Sequence, residues 1–358
     1  MKKRVGAESD TLKYQTSSRK KEHLFICAQK AVESGESGFA DIQLVHNALP
    51  ECSMDAIDLS ARFLGKNLKS PVFIAAMTGG HPDTLEVNKN LARAAQKYGL
   101  GMGVGSQRAA LENPDFAESF TIVRDEAPDA FLCANLGAVQ LRDHGPEWAD
   151  RSVEMIDADA LCVHLNPMQE AIQPEGDHDT SGCLAAIAEL CESSRYPVIV
   201  KETGCGISAE AAEKLWASGV SALDVGGLGG TSWAAVELVR ADTPALRRLG
   251  EHFADWGIPT ALSVLEAQQG DGPVIATGGL RSGTDVAKAI ALGATLSGMA
   301  LPFLAPAMEH AEALDATIEQ IHKELRVAMY CTGAKNLQEL KRIRYYMTGR
   351  LAAMVKSR

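Results

Sequence analysis

The chain has 358 residues, 46% of them hydrophobic and 23% charged, with a formal net charge of −11. That length and apolar content fit one barrel-sized domain or two smaller ones and argue against a disordered chain. The acidic balance disfavours a nucleic-acid or membrane-surface role, so any phosphate binding has to be local.

The lysine-rich start has no apolar stretch behind it, and no window reaches the roughly 18 to 20 consecutive apolar residues of a spanning helix. The expectation is a cytoplasmic protein with no nucleic-acid or membrane partner. Eight cysteines, at 27, 52, 133, 162, 183, 191, 205 and 331, include no C-x-x-C pair, and several fall inside apolar runs. They are expected to be reduced, mostly buried thiols.

Residues 1–22 are polar and read as a mobile basic arm preceding a single domain over 23–358. From Pro71 onward, short apolar runs alternate with amphipathic stretches. The runs are PVFIAAM (71–77), LGMGVG (100–105), AFLCANLG (130–137), ALCVHLN (160–166), PVIVKE (197–202), SALDVGG (221–227), PVIATGG (273–279) and TLSGMA (295–300). Helices are predicted between them over 85–99, 114–127, 147–158, 180–194, 208–219, 243–257 and 283–293. In the last of these, Val286, Ala289 and Ile290 share one face, Asp285 sits at the positive end and Gly293 follows as a stop.

Continuous apolar strands alternating with helices specify a parallel sheet covered on both faces, and eight such units specify a closed (β/α)8 TIM barrel. An open doubly wound sheet is the alternative. A ninth apolar run, IPTALSV (258–264), leads straight into LEAQQG and reads as the start of a helix.

Every predicted strand ends in a polar or glycine-rich tail, and in a barrel these tails converge on the face that carries active sites. TGGLRSG (277–283), after the seventh strand, leads into a helix N-terminus and suits a phosphate. An ordinary βα turn is the other reading. GGLGGTS (226–232) is a second such loop, with hydroxyls at Thr231 and Ser232. Lys201 finishes a buried strand, which favours an anionic ligand over an ion pair with Glu202. His164 and Asn166 alternate with Leu165 and so face the mouth together, followed at once by Gln169 and Glu170. That set suits Mg²⁺ held with ligand phosphates. Zinc through His164, Asp177 and His178 matches no usual spacing. The basic run SSRKKEHL (17–24) is either solvated or a clamp closing over the mouth.

Taken in order, SRKKEHL, AMTGG, GSQR, ANLG, HLNPMQEAIQPEGD, VKETGCG, GGLGGTSW, TGGLRSGTDVAKAIALGA and GMALPFL resemble the type 2 isopentenyl diphosphate isomerases, from about residue 19 to 304. The resemblance implies a TIM barrel with an N-terminal arm and a helical C-terminal tail. It implies an enzyme of isoprenoid biosynthesis that interconverts isopentenyl and dimethylallyl diphosphate, with FMN kept reduced by NADPH, and Mg²⁺. By the same resemblance FMN meets Met77, Thr78, Gly79, Ser106, Asn135, Lys201, Thr231, Gly279, Leu280, Arg281, Ala300 and Leu301. The diphosphate meets Arg19, Lys20, Ser106, Gln107 and Arg108, with His164, Asn166 and Gln169 nearby, and Glu170 holds Mg²⁺. A homo-tetramer or homo-octamer is implied as well.

Two other readings are open. A flavin-dependent 2-hydroxy acid oxidase shares the barrel but needs a histidine after the sixth strand, where GGLGGTSW has none. A non-catalytic flavin or prenyl-phosphate binding protein would have no need of Glu170 or of the basic arm.

Overall fold

All eight apolar runs become strands of one closed parallel barrel in a computed structural model that describes residues 20–357. In chain order they are β1 Val72–Ile74, β2 Gly101–Gly103, β3 Phe131–Gly137, β4 Ala160–Leu165, β5 Val198–Glu202, β6 Ala222–Asp224, β7 Val274–Thr277 and β8 Leu296–Met299. Each pairs in parallel with its sequence neighbour, and β8 closes onto β1. Apart from the carboxyl end of β4, the strands are buried along their length, which is why they read as continuous apolar text. The open-sheet alternative is thereby excluded.

The helices fall where their periodicity put them. Helix Gly283–Ala291 begins with a reciprocal cap between Ser282 and Asp285, buries Val286, Ala289 and Ile290, and is followed by Gly293 at φ +107°. The run at 258–264 becomes helix Thr260–Ala267, entered through Pro259. Its Ser263 hydroxyl accepts from Ile207 N and donates to Ile207 O, fastening it beside β5.

Elements outside the eight units close the barrel's other end and tie the termini together. The antiparallel pair Ala61–Phe63 and Lys66–Leu68 places Phe63 edge-on to Phe131, 5.4 Å between ring centres, at the amino-terminal end of β3. Strand Ile42–Leu44 pairs with Tyr345–Met347, and the C-terminal tail is helical over Ala311–Thr332 and Gly349–Lys356.

Residues 20–22, read as arm, are instead the first turn of a helix over 20–29 whose His23 and Leu24 are buried. The rest of the predicted arm, with Arg19, lies outside the described residues. All eight cysteines are free thiols, and among the described residues no helix is long and apolar enough to cross a membrane.

Candidate functional site

The carboxyl ends of the strands surround a cavity of about 230 Å³. Two glycine loops form one wall. Gly279, at the end of β7, has φ +75°, and a Cβ there would run into Gly229 O and lie 2.9 Å from Ser37 Cβ. A Cβ on Gly230 would lie 2.6 Å from Gly279 N. The loops after β6 and β7 therefore touch backbone to backbone, and only glycine lets main chain come this close to a ligand such as an oxygen anion. Thr231, Gly279, Leu280 and Arg281 line the cavity beside them, and Arg281 pairs with Glu33.

Next round the barrel from β7, the residues after β8, β1 and β2 supply Ala300, Leu301, Met77, Thr78, Ser106 and Arg108. The Thr78 hydroxyl is buried with no hydrogen-bond partner, an orphan that a polar ligand would satisfy. Together with the glycine wall, it fits a planar cofactor with a phosphate tail.

β4 and β5 bring the charged groups. His164 is in register with Gly137 on one side and Lys201 on the other, and Lys201 with Asp224. Residues in register on parallel strands point the same way, so these side chains share the barrel interior. A Cβ on Gly137 would lie 3.1 Å from His164 Nε2, so glycine leaves the imidazole its room.

Lys201 is buried, and its Nζ donates to the main-chain oxygen of Glu202 at 2.7 Å. The Glu202 side chain alternates to the other face of the strand. There its Oε2 accepts from the main-chain N–H of Thr203 and Gly204, each at 2.7 Å, and also from Cys205 and Gly206. The competing ion pair between Lys201 and the Glu202 carboxylate is absent, while burial raises the Glu202 carboxyl to about 7 against the pull of these N–H groups. Asp224 is likewise raised by burial and lowered in turn by Lys201 and by the Thr277 hydroxyl bonded to it.

The segment after β4, the short helix Pro167–Ile172 and the turn behind it, converges on Glu170. Its Oε1 accepts from Asn166 Nδ2 at 2.8 Å, and its Oε2 from Gln173 Nε2 at 2.6 Å and Asp177 N at 2.8 Å. Gln169 Nε2 reaches Glu237 Oε1 at 3.4 Å, a carboxylate that also meets His23 Nε2 at 3.2 Å and Arg240 at 2.5 Å. Glu237 thus joins helix 20–29, which brings Lys20 and His23 to the cavity, to the short helix Pro167–Ile172 that carries Gln169. Among the described residues no cluster of three or more His, Cys, Asp or Glu could hold a metal, so the zinc reading falls. A cation at Glu170 would need oxygens from its ligand.

Two expected site residues do not reach the cavity. Gln107 is completely buried and turned away from it, donating to Ser152 O at 2.9 Å. Ser106 and Arg108 face the ligand space, and Gln107 between them faces outward. Gly79 lies behind the wall, where a Cβ would strike the Phe120 ring. Arg19 is outside the described residues. Sequence reasoning in turn missed Asp224, Glu237 and Trp233. Asp224 carried a signal, a carboxylate inside a buried strand; Glu237, within an amphipathic helix, carried none.

The family model for FMN-dependent dehydrogenases matches residues 27–116 and 142–346. A curated isopentenyl-diphosphate delta-isomerase of Methanoregula boonei is 60% identical over 345 residues, covering 95% of this chain and 96% of the relative. One of Archaeoglobus fulgidus is 51% identical, covering 96% and 99%. Among solved structures, a Pediococcus acidilactici protein described as a lactate oxidase superposes with a TM-score of 0.68 at 16% identity, covering 95% of this chain and 94% of that one. A flavocytochrome b2 variant gives 0.66 at 22%, covering 93% and 84%. These two structures speak for the fold, and the relatives for descent: the chain belongs to the FMN-dependent dehydrogenase family and, within it, to the type 2 isopentenyl-diphosphate delta-isomerases.

Proposed function

We propose that this chain interconverts isopentenyl diphosphate and dimethylallyl diphosphate at the mouth just described, using FMN in its reduced state, with NADPH as reductant and Mg²⁺ held through Glu170. The observation that carries the reading is the meeting of two unlike walls in one cavity. A glycine cradle with an orphaned Thr78 hydroxyl faces the His164, Asn166, Gln169 and Glu170 set, with Lys201 between them.

In this reading FMN lies against Met77, Thr78, Ser106, Asn135, Lys201, Thr231, Gly279, Leu280, Arg281, Ala300 and Leu301. The diphosphate lies toward Lys20, Ser106 and Arg108 and, from outside the described residues, Arg19. Gln169 and His164 line its approach. A homo-tetramer or homo-octamer is proposed on family grounds.

The chemistry is a proton shift: a proton joins the terminal alkene carbon and another leaves the carbon nearer the diphosphate. An electron-rich reduced ring supplies stabilisation for the positive charge that develops and an acid–base group beside it. The chain's own groups do the positioning. Lys201 places a cation at the ring edge, Glu170 fixes Asn166 and Gln173, and Glu237 steadies Gln169. The apolar walls at Met77, Leu280 and Leu301 exclude water from the hydrocarbon.

The oxidase reading lacks its base, since no histidine lies between Gly226 and Trp233. The discriminating experiment incubates purified protein with isopentenyl diphosphate, FMN, NADPH and Mg²⁺, omitting each in turn. Turnover to dimethylallyl diphosphate should fail without flavin and without the cation, and product formed in the absence of flavin would sink the reading.

A further inference from the structure

His164 hangs from a chain of hydrogen bonds that runs away from the ligand space. Its Nδ1 lies 2.8 Å from Asn135 Oδ1. Asn135 Nδ2 donates to Val104 O at 2.9 Å, so turning the amide round would set its oxygen against that carbonyl oxygen, acceptor to acceptor. A carbonyl oxygen only accepts, and therefore Nδ1 carries the hydrogen. Nε2, beside Gly137, is then the ring nitrogen without a hydrogen, on a side chain that lines the cavity.

Asn135 is itself gripped from outside. Its main-chain N–H donates to Gln107 Oε1 at 2.8 Å, and Gln107 N donates back to Asn135 O at 2.9 Å. Gln107 Nε2 donates to Ser152 O at 2.9 Å, which fixes the second amide as firmly as the first. Both side chains are almost wholly buried, where an unmatched donor or acceptor has no water to turn to.

We infer that Gln107 is a positioning residue: by holding Asn135 it fixes His164 as the neutral tautomer protonated on Nδ1, presenting a bare Nε2 to the cavity. Gln107 thus acts on the ligand space through two other residues without touching it. The charges facing the imidazole reinforce this state. Burial, then Lys201 on β5 and Lys20 on helix 20–29, lower its proton affinity to a pKa of about 3. In the ligand-free protein His164 is therefore an acceptor at Nε2. The inference rests on the hydrogen-bond geometry and holds whatever ligand the cavity takes, so its failure would leave the proposed reaction standing, and the reverse.

The test is nitrogen-15 NMR of ligand-free protein labelled at histidine, with His164 assigned by the signals missing from His164→Gln. Nδ1 should show the protonated shift and Nε2 the unprotonated one, unchanged from pH 8 to pH 5, where exposed histidines have become imidazolium. A protonated Nε2 in the unmodified protein, or imidazolium at pH 5, overturns the tautomer. In Gln107→Leu and in Gln107→Glu, the latter keeping the acceptor for Asn135 N but losing the donor to Ser152, the pattern should move toward a mixture of tautomers. Signals of His164 unchanged in either folded variant overturn the role of Gln107.

Discussion

Glu170→Gln should lower kcat by about 10²- to 10³-fold, the scale of losing one oriented electrostatic group at the reacting centre, while flavin content stays unchanged. The carboxylate serves two sides at once: Oε1 receives Asn166 Nδ2, and Oε2 receives Gln173 Nε2 and Asp177 N. An amide in its place has one oxygen and one NH₂, so one of those sides would face donor to donor. The side chain must then swing, and Asn166 or the 173–177 turn moves with it. The negative charge is lost as well, and with it the share in holding a cation beside the diphosphate that is proposed for Glu170. The check is steady-state kinetics over a Mg²⁺ series, alongside flavin absorbance of the purified variant. A kcat within about threefold of the parent would remove Glu170 from the cation site, and loss of flavin instead would recast it as a cofactor ligand.

Lys201→Met should weaken FMN binding by about 10- to 100-fold, the equivalent of one charge-assisted hydrogen bond worth about 1.5–3 kcal/mol. Lys201 sits buried on the interior face of β5 in register with both His164 and Asp224, and donates to the Glu202 main-chain oxygen. Part of the ammonium's desolvation is therefore already offset within the protein, and a ring carbonyl accepting from it would add its attraction at little further cost. Methionine keeps the volume and removes the charge. Asp224, whose carboxyl burial already raises, then loses the nearby cation that opposes this shift, and takes up a proton more readily. Titration of apoprotein with FMN by fluorescence quenching gives the Kd. An unchanged value would place the ring edge elsewhere in the cavity.

The barrel was legible because its strands are covered on both faces and so carry no polar alternation to confuse with a loop. Helix Thr260–Ala267 was legible for the opposite reason, since Glu266 and the glutamines after it end any strand reading at once. The pairs 42–44 with 345–347 and 61–63 with 66–68 were not. Three-residue strands are too short for a period to show, and the first of them joins segments about 300 residues apart.

At the site, sequence fixed which loops meet but not which way every side chain turns. His164 and Asn166 were placed on the cavity side by alternation, and they line it. Ser106, Gln107 and Arg108 lie past the end of β2 at the entry to helix Arg108–Glu112, where strand alternation gives no guide to which way each side chain turns. Lys201 and Glu202 do alternate: adjacent on a strand, they serve opposite faces, one toward the ligand and one clamping the following turn. Glu237 depends on a helix crossing that no local pattern encodes.

The proposed reaction requires one cavity to deliver a proton to a prenyl diphosphate beside a reduced flavin. Running the reaction in deuterated water with reduced FMN and Mg²⁺, and examining the dimethylallyl diphosphate by mass spectrometry and proton NMR, tests this most directly. A single deuterium in the newly formed methyl group, appearing only when flavin is bound, is the predicted result. Product that forms at the same rate and carries no label would contradict it.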